Sequence, residues 1–231
     1  GGEPKKAIEY LEKAGDRKKE LYLNDEAIKI YQKCIALTQA SEPSKAAAVY
    51  EKLGQIYDLI GNYEQSIKSY KAMGEIGRGD PITSARSYNA TANVLKNQGY
   101  YDRALGLLHK ARGLMKSMIK KSPAVIMMEL SNVLSLECWV YRMKGKMDEA
   151  KARGLEAIAM ITKVKDWKDY DNLKKALSRA YTNLAIVYCV TGELDRAIKL
   201  CEDALLIAEE FGDQKTKSYV YNILGTVYKA Q

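Results

Sequence analysis

A small residue recurs along this chain at a nearly regular interval, and no other feature restricts its possible folds as strongly. The recurring positions are Gly15, Gly54, Ala92, Cys138, Ala185 and Gly225, which lie 39, 38, 46, 47 and 40 residues apart. Tyrosine follows most of them three residues later, at Tyr57, Tyr141, Tyr188 and Tyr228, and glycine follows seven residues later, at Gly61, Gly99, Gly145 and Gly192. Self-similarity at a period of about 40 residues is typical of repeat proteins.

The residue types at these positions indicate two antiparallel helices in each repeat. Helices approach closely only where a side chain is nearly absent, which explains the small residue at the predicted crossing point. The later glycine suits the left-handed cap that ends a helix, and an acidic residue soon after it, such as Asp102 or Asp195, suits the start of the next helix. Each repeat is therefore predicted to be a helix, a tight turn and a helix, and no segment has the pattern of a strand.

Prolines and cap residues predict where the repeats begin. Glu42-Pro43, Asp80-Pro81 and Ser122-Pro123 place proline at or near a first helical position, and Gly212-Asp213 marks one more start. The predicted repeats cover about residues 5–40, 43–78, 81–120, 123–164, 170–211 and, in part, 213–231. Together they make one array over residues 1–231.

These patterns resemble those of the tetratricopeptide repeat (TPR) family. The second repeat matches the family signature at Tyr50, Leu53, Gly54, Tyr57, Gly61, Ser66 and Tyr70, and the fifth nearly matches it at Tyr181, Leu184, Ala185, Tyr188, Gly192, Ala197 and Ala204. The resemblance implies a right-handed all-α solenoid of five helical hairpins plus the first helix of a sixth. The third and fourth repeats are longer than is usual in the family, so we expect extended helices there.

Composition limits the compartment and the kinds of site. Hydrophobic residues make up 47% of the chain and only four residues are proline, which argues against disorder. The sequence suggests no run approaching a membrane span and no signal peptide. Of the four cysteines, Cys34, Cys138 and Cys201 fall on core positions and none forms a CxxC pair, which predicts reduced core thiols and a cytoplasmic protein without a metal site.

The sequence also argues against catalysis. His109 is the only histidine, which excludes histidine triads and multi-histidine zinc sites, and we expect it to be a solvated or half-buried helix residue. Neither a phosphate-binding GxxxxGK[ST] loop nor a GxSxG elbow is present. We therefore predict a non-enzymatic chain with no catalytic residues and no cofactor.

The net charge of +8 raises the question of nucleic acid. Basic residues gather at 17–19, 116–121 and 163–175, the last with Trp167 and Tyr170 interleaved. These clusters lie near predicted helix ends and no nucleic-acid-binding signature accompanies them. The positive potential of these clusters would also attract acidic protein partners. A nucleic-acid-associated protein is the alternative.

The resemblance to the TPR family implies that the first helix of each repeat lines a concave groove. The residues predicted to face it are Lys52, Gln55, Arg86, Asn89, Asn93, Asn97, Ser135, Trp139, Arg142, Arg179, Asn183 and Asn222. Amides and guanidinium groups on successive turns form a ladder suited to the backbone or carboxylates of an extended peptide. The third repeat is the strongest part of this prediction, because four Asn or Arg residues lie between Arg86 and Asn97.

A second resemblance concerns residues 7–16 and 24–28, which are similar to the start of the repeat region in large bacterial signalling ATPases, cyclases and kinases. It implies a sensor or scaffold that binds a protein or peptide within a larger regulatory protein. A peptide-pheromone-type transcription regulator remains an alternative. Because Tyr221, Leu224 and Tyr228 belong to a first helix without a second, we expect an exposed apolar stripe there, covered by another copy or by following residues.

Overall fold

The computed structural model of this chain describes residues 3–119 and 123–230. Within these residues there are eleven α-helices, one 3-10 turn and no strands. The helices follow one another in pairs joined by three-residue turns, and an eleventh helix follows the fifth pair. The predicted fold class, an all-α chain of five hairpins plus a further first helix, is confirmed. Two predicted features, the Ser122 cap and the basic residues Lys120 and Lys121, lie outside the described residues.

The helices fall into two compact units, each described here by itself. The N-terminal unit, Gly1–Gly99, contains α1 (Glu3–Glu20), α2 (Asn24–Thr38), α3 (Pro43–Leu59), α4 (Tyr63–Ile76) and α5 (Pro81–Asn97). The C-terminal unit, Tyr100–Gln231, contains α6 (Tyr101–Lys116), α7 (Pro123–Met143), α8 (Met147–Thr162), a 3-10 turn (Trp167–Asp169), α9 (Asp171–Val190), α10 (Leu194–Glu210) and α11 (Gln214–Ala230). The first helices of the repeats are α1, α3, α5, α7, α9 and α11.

Helix starts follow the local chemistry of the sequence. Pro43 and Pro81 stand at the start of α3 and α5, where a missing backbone N–H costs nothing. The Asp80 carboxylate accepts hydrogen bonds from the backbone N–H of Ile82 and Thr83, both at 3.1 Å. These bonds satisfy two amides that the helix itself leaves without partners.

The turn between the two helices of each hairpin has a left-handed residue. The predicted turn glycines Gly61, Gly99, Gly145 and Gly192 have φ angles between 73° and 81°. Such φ values carry no steric penalty for glycine because it lacks a Cβ. In the first hairpin the equivalent position is occupied by Tyr22, with φ 58° and its side chain exposed to solvent.

The small residues of the first, second and fourth repeats are matched in size by the residues that cover them. A Cβ added to Gly15 would lie 2.5 Å from the Tyr31 ring, and one added to Gly54 would lie 2.6 Å from the Tyr70 ring. In the fourth repeat the sizes are exchanged, because Cys138 faces Gly154, whose added Cβ would lie 3.3 Å from the sulfur. The crossing point therefore needs a fixed combined volume and not one particular residue.

Three of the four cysteines belong to these cores. Cys34, Cys138 and Cys201 are fully buried, Cys189 is half-buried, and all four are free thiols. Burial raises the pKa of the Cys138 and Cys201 thiols to about 12 and also raises that of Cys34. The prediction that these three residues are core thiols is confirmed, and the raised pKa values make them poor nucleophiles at neutral pH.

Helix α7 corrects the expectation that no stretch approaches a membrane span. Residues Ala124–Met143 are long and apolar enough, by length and composition, to cross a bilayer. The same criteria are met by core helices, and 56% of this stretch is buried inside the unit. It also contains the buried carboxyl groups of Glu129 and Glu137. Its apolar character serves the packing of α7, which contacts α6, α8 and α9.

The expected extension of the fourth repeat is found in α7, which contains 21 residues, whereas α3 contains 17. For the first helix of the third repeat the expectation is wrong, because α5 also contains 17 residues, while α9 of the fifth repeat, where no extension was expected, contains 20. Some of the added length lies outside helices, in the connection from α8 to α9. This connection includes the 3-10 turn Trp167–Asp169, preceded by Asp166 with φ 54°.

Candidate functional site

The first helices of the N-terminal unit, α1, α3 and α5, carry the predicted groove residues of repeats 2 and 3, and we call this surface the N-terminal first-helix face. On it, Lys52 of α3 donates hydrogen bonds to Glu12 and Asp16 of α1, both at 2.8 Å. Asp16 also accepts a hydrogen bond from the Tyr31 hydroxyl at 2.7 Å. Burial opposes the ionised form of Asp16, but the bonds from Lys52 and Tyr31 outweigh it and lower the pKa of that carboxyl. Lys52 is therefore held by the protein itself.

Two more predicted groove residues are engaged in the same way, each with the preceding repeat. The Arg86 guanidinium donates to both carboxylate oxygens of Glu51, at 3.0 and 2.7 Å. Gln55 accepts a hydrogen bond from Lys19 at 2.6 Å. One terminal nitrogen of Arg86 makes both bonds, which tie α5 to α3.

Two of the three asparagines of α5 on this face also donate hydrogen bonds to the preceding repeat. Asn93 and Asn97 donate to the two carboxylate oxygens of Asp58, at 3.5 and 3.3 Å. Lys96 donates to the side-chain oxygen of Asn93 at 2.9 Å. Asn89 differs, since its side-chain oxygen is buried and has no hydrogen-bond partner within the described residues.

These contacts reduce what the predicted polar ladder of repeat 3 can offer to a ligand. The amides and cations do lie on adjacent first helices, but Lys52, Arg86, Asn93 and Asn97 each already make a hydrogen bond to a neighbouring helix. A ligand on this face would have to displace bonds that already exist, and the exchange would yield little net free energy. The N-terminal first-helix face is thus a set of cross-repeat ties with one open acceptor, at Asn89.

The equivalent surface of the C-terminal unit is formed by α7, α9 and α11, and we call it the C-terminal first-helix face. Its aromatic residue is Trp139 of α7, which meets the Tyr101 ring edge-on with ring centres 6.2 Å apart. The Arg142 guanidinium lies 5.4 Å from the centre of the Trp139 ring. A half-buried indole with a cation over it forms an amphipathic platform.

Beside Trp139, α7 carries polar atoms that the described part of the chain leaves without hydrogen-bond partners. They are the hydroxyl oxygens of Ser131 and Ser135, the side-chain oxygen of Asn132 and the Nε of Arg142. Ser131 and Ser135 are almost fully buried, at 0% and 4% exposure. Buried polar groups are normally hydrogen-bonded, so an unpartnered run on one helix marks a place where a partner would be stabilising.

The remaining predicted residues lie on α9 and α11. Asn183 donates to the backbone carbonyl of Ser135 at 2.9 Å, so its amide ties α9 to α7. Arg179 is exposed, and the carboxylates of Glu129 and Asp213 act on it electrostatically. Asn222 is exposed on α11. Asn132, whose amide also donates to Glu129 at 3.4 Å, was not among the predicted residues although it lies one helical turn from Ser135.

A cluster of charged residues that the sequence argument did not single out surrounds Glu137 of α7. Glu137 is fully buried, and its two carboxylate oxygens lie 3.4 Å from the Nε of Arg112 on α6 and 3.3 Å from the Nε of Arg153 on α8. Neither oxygen makes a hydrogen bond of normal geometry within the described residues. Arg153 also donates to Glu156 at 2.5 Å, and Lys116 of α6 lies 3.8 Å from Glu156.

The only histidine of the chain belongs to this cluster. The Nε2 atom of His109 lies 3.8 Å from Glu137 and 3.4 Å from the Tyr141 hydroxyl. Its side chain is 48% exposed, as the sequence led us to expect. Burial, Arg112 and Arg153 lower the pKa of His109, whereas burial raises the pKa of Glu137 against the opposite effect of the two arginines.

The sequence did hold a signal for Glu137. It stands immediately before the small residue Cys138, at the position occupied by Leu53, Leu184 and Leu224 in other repeats. A carboxylate in a leucine position of a repeat core is costly unless cations compensate it.

The fold and these two faces define a class of protein, an all-α helical-hairpin repeat protein. Two models of the tetratricopeptide repeat family match the sequence, one over residues 177–210 and one over residues 47–72. These matches coincide with the fifth and second repeats, where the family signature is most complete. The chain therefore contains tetratricopeptide repeats at residues 47–72 and 177–210.

Solved structures show the same fold at low sequence identity. BtubC (BKLC) from P. vanneervenii superposes with a TM-score of 0.68 at 18% identity, covering 89% of this chain and 81% of that one. The Rap conjugation gene regulator of plasmid pLS20, in complex with the Phr* peptide, gives 0.69 at 19% identity over 90% and 55%. The apo quorum sensor NprR from B. thuringiensis gives 0.67 at 16% identity over 98% and 60%.

This chain therefore spans little more than half the length of the two regulators. The search of curated protein sequences returned no significant match.

Proposed function

We propose that this chain is a peptide-binding repeat module, and that the peptide lies along α7 and α9 of the C-terminal first-helix face. One observation carries the proposal: the two faces differ in how much hydrogen-bonding capacity they leave open. Lys52, Arg86, Asn93 and Asn97 are held by neighbouring repeats. On α7, by contrast, buried polar atoms lack partners beside an aromatic platform.

The open groups on α7 suit an extended backbone. The side-chain oxygen of Asn132 can accept a hydrogen bond from a peptide N–H, and the hydroxyl of Ser135 can donate to a peptide carbonyl. Each such bond would satisfy a group that is already desolvated, so little further desolvation is needed and the net gain is larger than for a solvated group. Trp139 would pack against an apolar or aromatic side chain of the ligand.

The charges on this face favour an acidic ligand. Arg142 lies over Trp139, and Arg179 is exposed on α9. A carboxylate of the peptide near these guanidinium groups would gain a charge-assisted hydrogen bond. This preference is opposed by Glu129, which is buried on α7, and it therefore concerns the Arg142 side of the face.

Similarity to regulators supports a role in sensing or docking. The Rap regulator contains a bound Phr* peptide in its structure, and NprR is a quorum sensor. We extend this to a proposal that the chain is the sensor or scaffold part of a larger regulatory protein. A peptide-responsive transcription regulator is the closest alternative.

Binding is a better account of this chain than catalysis or nucleic-acid recognition. No cluster of three or more metal-ligating side chains occurs among the described residues. The N-terminal basic cluster is partly neutralised, since Arg17 pairs with Glu20 and Lys18 with Glu26. With four free thiols, a reducing compartment such as the cytoplasm is the setting we propose.

Selection from a random heptapeptide library displayed on phage tests the proposal. Peptides selected on the wild-type chain should bind Trp139→Ala and Asn132→Ala about fivefold or more weakly, because each change removes a contact worth about 1 kcal/mol or more. Asn93→Ala is the matched control, since it changes an amide of the N-terminal first-helix face and should leave affinity unchanged. Failure to select any peptide, or selected peptides that bind all variants alike, would contradict the proposal.

A further inference from the structure

The outer side of α6 carries a group of residues that peptide binding does not use. His109, Arg112, Gly113 and Lys116 follow the spacing i, i+3, i+4 and i+7, which places them on one side of a helix. Gly106 lies one turn before His109 on the same side. Three basic or ionisable side chains and two glycines therefore share this strip, which we call the α6 strip.

The two glycines leave the strip open. A Cβ added to Gly106 or Gly113 would meet nothing within 4 Å. Glycine in a helix interior is destabilising relative to alanine, and no close packing offsets that cost here. The bare backbone allows a ligand to approach His109 and Arg112 closely.

Glu137 lies beneath the strip and pairs with two of the cations. The atom of Arg112 closest to Glu137 is Nε, so that edge of the guanidinium faces the buried carboxylate. The Arg112 side chain retains 20% exposure, and no second carboxylate pairs with it in the described part of the chain, whereas a terminal nitrogen of Arg153 donates to Glu156. The guanidinium of Arg112 is thus partly exposed beside a single carboxylate.

The charges of the cluster do not cancel. Arg112, Arg153 and Lys116 supply three positive charges, and Glu137 and Glu156 supply two negative charges, which leaves one positive charge while His109 is neutral. Protonation of His109 would raise the net charge of the cluster to two positive charges. A phosphate monoester carries about −1.5 to −2 at pH 7, which matches the cluster with a protonated histidine better than a carboxylate does.

We propose that the α6 strip binds a phosphoryl group, with Arg112 as its main contact, His109 and Lys116 beside it, and Glu137 as the residue that positions Arg112. Binding would draw a proton onto His109, because an anion beside an imidazole favours the charged form. The source of the phosphoryl group is either free phosphate or a phosphorylated side chain of a partner. This site is separate from α9 and from the open groups of Ser131 and Asn132, so the proposal does not depend on peptide binding.

NMR of the imidazole tests the proposal directly, because His109 is the only histidine and gives one set of ring signals. The pH titration of these signals is recorded in chloride, inorganic phosphate, O-phosphoserine and acetate at equal ionic strength. We expect the apparent pKa of His109 to rise with saturation in phosphate or phosphoserine and to stay unchanged in acetate. A larger effect of phosphoserine at equal concentration would assign the site to phosphorylated partners, and a larger effect of phosphate would assign it to the free ion.

Three variants distinguish a specific phosphoryl-binding site from a nonspecific effect of the positive charge of the protein. Arg112→Gln should weaken phosphate binding about tenfold or more, since it removes a charge-assisted bidentate contact. Gly113→Glu should abolish binding while the protein remains folded, because glutamate is a better helix former and places a carboxylate in the strip. Arg196→Gln, which removes an exposed arginine of α10, is the control of equal charge change and should bind like wild type.

The proposal is overturned if the His109 titration is the same in phosphate and chloride. It is also overturned if acetate shifts the titration as much as phosphate, or if Arg196→Gln weakens the effect as much as Arg112→Gln. Because thermal melting of Gly113→Glu is measured in parallel, loss of binding through unfolding would be recognised, and Arg112→Gln then decides the result.

Discussion

Glu137 is a charged residue at a repeat position where other repeats have a buried leucine. Leu53 and Leu184 fill the equivalent position in other repeats with apolar side chains, at 4% and 0% exposure. Glu137 is equally buried but charged, and it is compensated by Arg112 and Arg153 from the helices on either side. A buried ion pair of this kind often contributes no more to stability than a well-packed apolar side chain.

Replacing Glu137 by leucine should therefore leave the free energy of unfolding unchanged or raise it, by up to about 3 kcal/mol. Leucine suits the position, and Arg112 and Arg153 can turn to solvent because they retain 20% and 27% exposure. Arg112→Ala should instead lower stability by about 1–3 kcal/mol, since the buried carboxylate then keeps one cation. Urea denaturation of both variants measures this, and a strong loss of stability in Glu137→Leu would show that the ion cluster is essential to the fold.

The pH dependence of the free energy of unfolding also reports on the burial of Glu137. Burial raises the pKa of Glu137 above its ordinary value of 4.5. The folded state therefore favours the protonated carboxyl, and its contribution is full below pH 4.5 and is lost as pH rises through the folded pKa. His109 acts oppositely, because its pKa is lowered from 6.5 and stability falls as pH drops below that value. Glu137→Leu should remove the first effect and leave the second.

Among the structural elements, the turns between paired helices are nearly identical except for the first. Gly61 and Gly192 hold φ angles of 77° and 79°. Tyr22 adopts the same left-handed region at 58° without the freedom of glycine. For a residue with a Cβ this conformation costs roughly 1–2 kcal/mol, and the exposed Tyr22 ring offers no packing in return.

Tyr22→Gly should accordingly raise the free energy of unfolding by about 0.5–1 kcal/mol, after allowance for the greater flexibility of glycine in the unfolded chain. Leu21→Gly is the matched control in the same turn, where φ is not positive, and it should lower stability slightly. Thermal melting of the two variants decides the matter. If both changes lower the melting temperature, the left-handed turn is not strained by tyrosine.

At the level of the whole molecule, α11 is packed less completely than the helices before it. Its buried residues Val220, Ile223 and Val227 pack into the core with α9 and α10. Its other side exposes Tyr221 and Tyr228, at 54% and 59%, as the sequence predicted, whereas Leu224 is half-buried. A Cβ added to Gly225 would meet nothing within 4 Å, unlike those at Gly15 and Gly54.

Backbone amides of α11 should exchange with solvent faster than those of α9, because the helix can open locally with less loss of buried surface. Hydrogen exchange followed by mass spectrometry at two protein concentrations measures this. Exchange that slows at the higher concentration would show that a second copy covers the Tyr221 side. Equal protection of α9 and α11 in dilute solution would contradict the prediction.

Much of the fold could be predicted from the sequence because the repeat register is periodic. That register places Gly61, Cys138 and Ala185 correctly in turn or core, since their roles depend on local geometry and on one crossing point. It could not show that Asp58 binds both Asn93 and Asn97, because partners some 35–39 residues apart depend on how neighbouring hairpins stack. For this reason the candidate site lies at the unpartnered groups of α7 and not at the predicted amide ladder of α5.

The two tryptophans allow the central claim to be measured in one spectrum. Trp139 lies on the C-terminal first-helix face, and Trp167 packs against the cluster that contains Ile161 and Leu173. The chain therefore gives two indole N–H signals, one within the proposed peptide site and one outside it. When a library-selected heptapeptide is added, the account predicts that the Trp139 signal shifts and saturates while the Trp167 signal stays in place. Saturable peptide binding with both signals unmoved would place the ligand elsewhere and contradict the account.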